Sequence, residues 1–62
     1  MDMKQTSKLA LDFVAMINEG MKPLDCLCHA INEGIEYPDA VWLVSRVLKL
    51  DDDAKFEMEM DY

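Results

Sequence analysis

Two matching stops constrain this chain more than any other feature of it. Ile17-Asn18-Glu19-Gly20 returns fourteen positions later as Ile31-Asn32-Glu33-Gly34. After each glycine come an apolar residue (Met21, Ile35), a proline (Pro23, Pro38) and an aspartate (Asp25, Asp39). Gly20 and Gly34 are the only glycines in the chain, and each closes a run of apolar residues at helical spacing. Glycine enters left-handed backbone at no side-chain cost, which is what the end of a helix requires. Proline suits the first turn of the next helix, where a missing N–H is no loss, and an aspartate there faces the positive end of the helix dipole. The unit therefore reads as helix, glycine stop, short connector, proline start. Leu50-Asp51-Asp52-Asp53-Ala54 is a partial third echo, with Asp53-Ala54 following Asp39-Ala40 but without glycine or proline.

This punctuation predicts an all-α fold: a compact bundle of three short helices at about 7–19, 23–33 and 38–50, with a short fourth turn and an acidic C-terminal tail. Residues 1–6 are expected to fray, with Thr6 or Ser7 capping the first helix. Leu9, Ala10, Phe13, Val14, Met16 and Ile17 form its apolar face, with a Lys8–Asp12 pair on the other side. Leu24, Leu27, Cys28 and Ile31 line the second helix, with Ala30 beside them. The third, rich in Val and Leu, is expected to be the most buried. Asp51 caps a turn over about 52–57. Beyond it, Phe56-Glu57-Met58-Glu59-Met60-Asp61-Tyr62 alternates with the period of a strand. No second strand candidate exists to pair with it, so the expectation is a loose tail, or a strand added to another molecule.

With 62 residues the chain is one domain, and such a domain buries only about 60% of its unfolded surface. Two parts are expected: a helical domain at 1–50 and an acidic segment at 51–62, packed on it or on a partner. Residues 1–50 hold seven acids and five bases, whereas 51–62 hold six acids and one base. The acidity therefore belongs to the tail. No apolar run is long enough for a membrane span, and the N-terminus lacks the layout of a signal peptide. Cys26 and Cys28 are too close to staple a fold and are expected to be reduced, buried thiols of a cytoplasmic protein.

The residue inventory points away from catalysis. A cysteine nucleophile needs a base beside it, and His29, the only histidine, follows Cys28 directly and so turns about 100° away on a helix. A structural zinc site wants four ligands, and Cys26, Cys28 and His29 supply three at most. Counting an EF-hand from Asp51 puts Phe56 and Tyr62 where glycine and glutamate are needed. The expectation is a non-enzymatic protein without metal or cofactor.

The residues that stand out are suited to binding. Trp42 faces Arg46 one turn away, with Lys49 a turn further on, and Tyr37 sits just before Pro38; Trp, Tyr and Arg dominate interface hot spots. Phe56, Met58, Met60 and Tyr62 are hard to bury in a monomer this small. Tyr37, Trp42, Arg46, Lys49, Phe56, Met58, Met60 and Tyr62 are therefore the candidate partner-binding residues. The partner is a protein or a second copy, and a homodimer would enlarge the core and cover the tail.

Cys26 to Leu48 resembles a helix-turn-helix over about a third of the chain. Ala30 and Gly34 are four apart, and Ile35, Ala40 and Leu43 fall at its apolar positions, whereas His29 and Glu33 stand where the motif keeps apolar residues. The resemblance implies a DNA-binding regulator presenting Asp39, Trp42, Ser45, Arg46 and Lys49, of which only two are cationic. Tyr37-Pro38-Asp39-Ala40-Val41-Trp42 followed by an acidic, Tyr-ended tail is similar to small accessory proteins of bacteriophages and prophages. That likeness implies a regulator or inhibitor.

Overall fold

Asp2 opens the first helix. Its carboxylate accepts from the backbone N–H groups of Lys4 at 2.7 Å and Gln5 at 3.1 Å. The computed structural model describes residues 2–62, so the fraying expected of residue 1 lies outside the described residues. Helix α1 spans Met3–Asn18, so residues 3–6 are helical rather than frayed. Asp2, not Thr6 or Ser7, is the cap, because a charged acceptor satisfies two free N–H groups at once. The Thr6 hydroxyl instead donates to the Asp2 carbonyl at 2.9 Å. Three further helices follow: α2 at Pro23–Asn32, α3 at Tyr37–Val47 and α4 at Asp52–Asp61. The described residues contain no strand.

The three connectors, 19–22, 33–36 and 48–51, are each four residues long and share one geometry. At the first, Gly20 N–H donates to the Ile17 carbonyl and Met21 N–H to that of Met16. At the second, Gly34 donates to Ile31 and Ile35 to Ala30. At the third, Lys49 donates to Arg46 at 3.4 Å and Leu50 to Ser45 at 2.9 Å. Each is a Schellman pair that satisfies carbonyls left over at a helix end. The left-handed residue is Gly20 (φ 90°), Gly34 (φ 94°) or Lys49 (φ 54°). The partial third echo is thus a full third corner, with a lysine in the glycine position. It ends α3 at Val47, three residues before the expected Leu50.

Each corner also prepares the next helix. The Asp25 carboxylate accepts from the Lys22 N–H at 2.9 Å, and that of Asp51 from the Ala54 N–H at 2.8 Å. Pro23 and Pro38 sit in the first turns of α2 and α3.

Helices α1, α2 and α3 contact one another, and α4 lies against α2 and α3 without reaching α1. The core is Leu9 and Phe13 from α1, Cys26, Leu27 and Ala30 from α2, Ile35 from the second corner, Ala40, Val41, Leu43 and Val44 from α3, and Met58 from α4. Full burial of a Leu or Phe side chain contributes about 1.5–3 kcal/mol, so Phe13, Leu9 and Leu27 anchor the assembly. Three expectations fail in detail. Val14 is exposed, as is Leu11, because nothing covers that side of α1. Cys28 is exposed and Cys26 is buried, with α2 turned so that Cys26, Leu27 and Ala30 face inward. Asp12 pairs with His29 across the α1–α2 seam, not with Lys8.

The largest correction concerns the C-terminal segment. Residues 52–61 form a ten-residue helix rather than a short turn, loose tail or strand. The alternation of Phe56, Met58, Met60 and Tyr62 places only Met58 inward, at 3% exposure. Helical backbone needs no partner strand, and Asp51, Asp52 and Asp53 favour its start.

Candidate functional site

Helix α3 buries Ala40, Val41, Leu43 and Val44, which turns Trp42 and Arg46 to the opposite side. Trp42 is 55% exposed, and the Arg46 guanidinium lies over its ring, 5.6 Å from the centroid. Such a pair is worth about 0.5–1 kcal/mol at an exposed site, and it holds both side chains in one conformation. Burial of Met58 rolls α4 so that Lys55 and Glu59 flank α3. Tyr62 then reaches Tyr37, with ring centroids 5.1 Å apart and planes inclined by 32°. Between the two helices runs an open groove of about 360 Å³, lined by Tyr37, Pro38, Val41, Trp42, Lys55 and Glu59.

Of the candidate binding residues, Tyr37, Trp42, Arg46 and Tyr62 therefore come together on the α3–α4 face. Phe56 and Met60 are one turn apart on the crown of α4, opposite Met58, and are exposed. They adjoin the face without lining the groove. Lys49 stands at the third corner, exposed. Met58 is lost from the set, because a core side chain cannot meet a partner. Lys55 and Glu59 line the groove although their sequence context offered no sign of it beyond their i,i+4 spacing.

Among the described residues, the one ion pair is His29–Asp12, and no lysine or arginine lies within ion-pairing distance of an acid. Arg46, Lys49 and Lys55 are thus uncommitted cations on or beside an aromatic face of an acidic chain.

Elsewhere the chemistry is sparse. The Cys26 thiol is pushed up to about 11, first by burial and then by the charge of Asp25, and its hydrogen goes to the Phe13 carbonyl. His29 Nε2 meets Asp12 Oδ2 at 3.0 Å, and the edge of the ring rests on Phe13. Among the described residues, no thiol or hydroxyl hydrogen-bonds to that ring. The soft-ligand set weighed from sequence does not converge either, since Cys26 is buried and Cys28 faces solvent. Among the described residues, no helix is long and apolar enough to cross a membrane.

No protein-family model, curated protein or solved structure matches this chain.

Proposed function

We propose that this chain is a non-enzymatic, cytoplasmic binding module that contacts protein through the α3–α4 face, with a second copy of itself as the first partner. The observation that carries the reading is the aromatic cluster around Trp42: a half-exposed tryptophan held by Arg46, with Tyr37 of the same groove in contact with Tyr62. Rigid aromatic side chains and arginine give large contact area at low entropic cost. Self-association has local charge pairing in its favour, against a net charge of −7 on each copy. The same chain carries unpaired Arg46, Lys49 and Lys55 near the face and an acidic α4 beside it, so two copies offer each other complementary surfaces. A domain of this size also gains core by pairing. A regulator or inhibitor role, as in small phage accessory proteins, is the setting such a module fits.

The helix-turn-helix alternative has less support. Trp42 and Arg46 share the outward side of α3 with Asp39, Lys49 stands at the corner beyond it, and Glu59 of α4 lines the groove beside Trp42. Two cations amid acids make few phosphate contacts.

Sedimentation equilibrium over a micromolar concentration series tests the proposal. A dimer is expected, weakened about thirtyfold or more by Trp42→Ala, which corresponds to a hot-spot loss of about 2 kcal/mol. A monomer at all concentrations removes self-association. If immobilised chain also captures no protein in a Trp42-dependent way, the wider reading goes with it.

A further inference from the structure

Outside the aromatic face, one cluster gathers ligand-type side chains from two helices. His29 lies in the last turn of α2, Glu33 is the C-cap residue one turn beyond it, and Asp12 meets them from α1. One donor atom from each of the three lies within 4.8 Å of the other two. We propose that Asp12, His29 and Glu33 form a binding site for one borderline divalent cation, with zinc as the ion that fits best.

The geometry is partly set before any ion arrives. His29 Nε2 and Asp12 Oδ2 are 3.0 Å apart. Two donors at roughly 2.0–2.1 Å from a tetrahedral ion are about 3.3–3.4 Å apart, so the pair opens by a few tenths of an ångström to admit it. The ion takes the place of the proton that the pair otherwise shares. The Phe13 edge contact fixes the plane of the imidazole. The Gln5 side-chain amide donates to the Glu33 backbone carbonyl at 3.0 Å, which ties the end of α2 to α1. Glu33 is exposed, and its side chain closes the remaining gap by rotamer change. His29 and Asp12 are about one-third exposed, which leaves an entry path and room for water to complete the shell.

The donor set selects the ion. One imidazole nitrogen with two carboxylate oxygens suits zinc and its neighbours, whereas calcium and magnesium prefer shells made of oxygen alone. A chain of net charge −7 also concentrates cations at its surface. The cysteines are not part of the site. Cys26 is buried against the Phe13 carbonyl, and Cys28 is exposed elsewhere on α2. This inference is independent of the proposed function and touches none of the residues on the α3–α4 face.

The test is a calorimetric titration of the reduced chain with zinc chloride, repeated on Cys28→Ser, His29→Gln, Asp12→Asn and Glu33→Gln. Metal-free circular dichroism melts check that each variant folds. One saturable site is expected in the original chain and in Cys28→Ser. Each of the other three should weaken it by no less than the roughly 10–100-fold typical of outer-shell losses. The melting temperature should rise with zinc, since the ion binds the folded state, and the His29 ring proton resonances should shift. Binding that disappears in Cys28→Ser but survives Glu33→Gln and His29→Gln would overturn the proposal. So would equal competition by magnesium, or the absence of a saturable site.

Discussion

Lysine in a left-handed corner has a measurable cost, and the three corners of this fold provide both directions of the experiment. Lys49 has φ 54°, where Gly20 and Gly34 have φ 90° and 94°. Left-handed backbone costs a residue with a Cβ about 1–2 kcal/mol. Lys49→Gly removes that strain but frees the unfolded chain, which takes back about 0.4–1 kcal/mol. The net gain is on the order of 0.5–1 kcal/mol. For a domain this small it raises the melting temperature by about 2–8 °C. Gly34→Ala is the reverse change. A Cβ built at Gly34 meets nothing within 4 Å, so no clash confuses the result and only backbone strain is paid. The expected loss is about 1 kcal/mol. Thermal unfolding followed at 222 nm by circular dichroism reads both variants. Stabilisation by Gly34→Ala, or destabilisation by Lys49→Gly, would refute the claim that all three connectors are the same left-handed corner.

Four other consequences follow from the core and the two cysteines. Met58 is the one core side chain from α4, so Met58→Ala should cost about 2–5 kcal/mol in denaturant unfolding and release α4 toward the exchange behaviour of a frayed terminus. Ser45 Oγ is buried without a hydrogen-bond partner, and such a group costs about 1–3 kcal/mol, so Ser45→Ala should raise stability by about 1 kcal/mol in the same assay. Ellman titration should find one fast thiol, Cys28, in the folded chain and two after denaturation. The folded Cys26 thiol holds its proton more tightly than the unfolded one, near 11 against 9.0. Its contribution to stability is therefore complete below pH 9 and lost as the pH rises toward 11, by up to about 2–3 kcal/mol. Cys26→Ala should lack that component of the alkaline decline.

The corners were legible in the residues because glycine, proline and aspartate each do one local job there. Gly20 and Gly34 ended helices where the pattern placed them, and Pro23 and Pro38 opened the next ones. The third corner was hidden because Lys49 carries none of that chemistry in its identity. Its conformation is set by Leu50, which turns inward, and by the Asp51 cap that follows. Helix α4 is hidden in the sequence for a related reason. Alternation over Phe56 to Tyr62 imitates a strand, while the tertiary choice of a single inward methionine sets the period. The face was half legible: Trp42 and Arg46 at i,i+4 announce themselves, but the approach of Tyr62 to Tyr37 depends on how α4 rolls. The meeting of Asp12, His29 and Glu33 depends on the α1–α2 seam, and the pairing of Lys8 with Asp12 that local spacing favoured lost to it.

Trp42 is the only tryptophan in the chain, so its fluorescence reports on the proposed interface directly. On dilution from high to low micromolar concentration, emission should move from that of a covered indole to that of a solvated one, along the same curve as the sedimentation data, with added salt shifting the curve toward dissociation. An emission maximum that stays at the solvated position at every concentration would contradict self-association through the α3–α4 face.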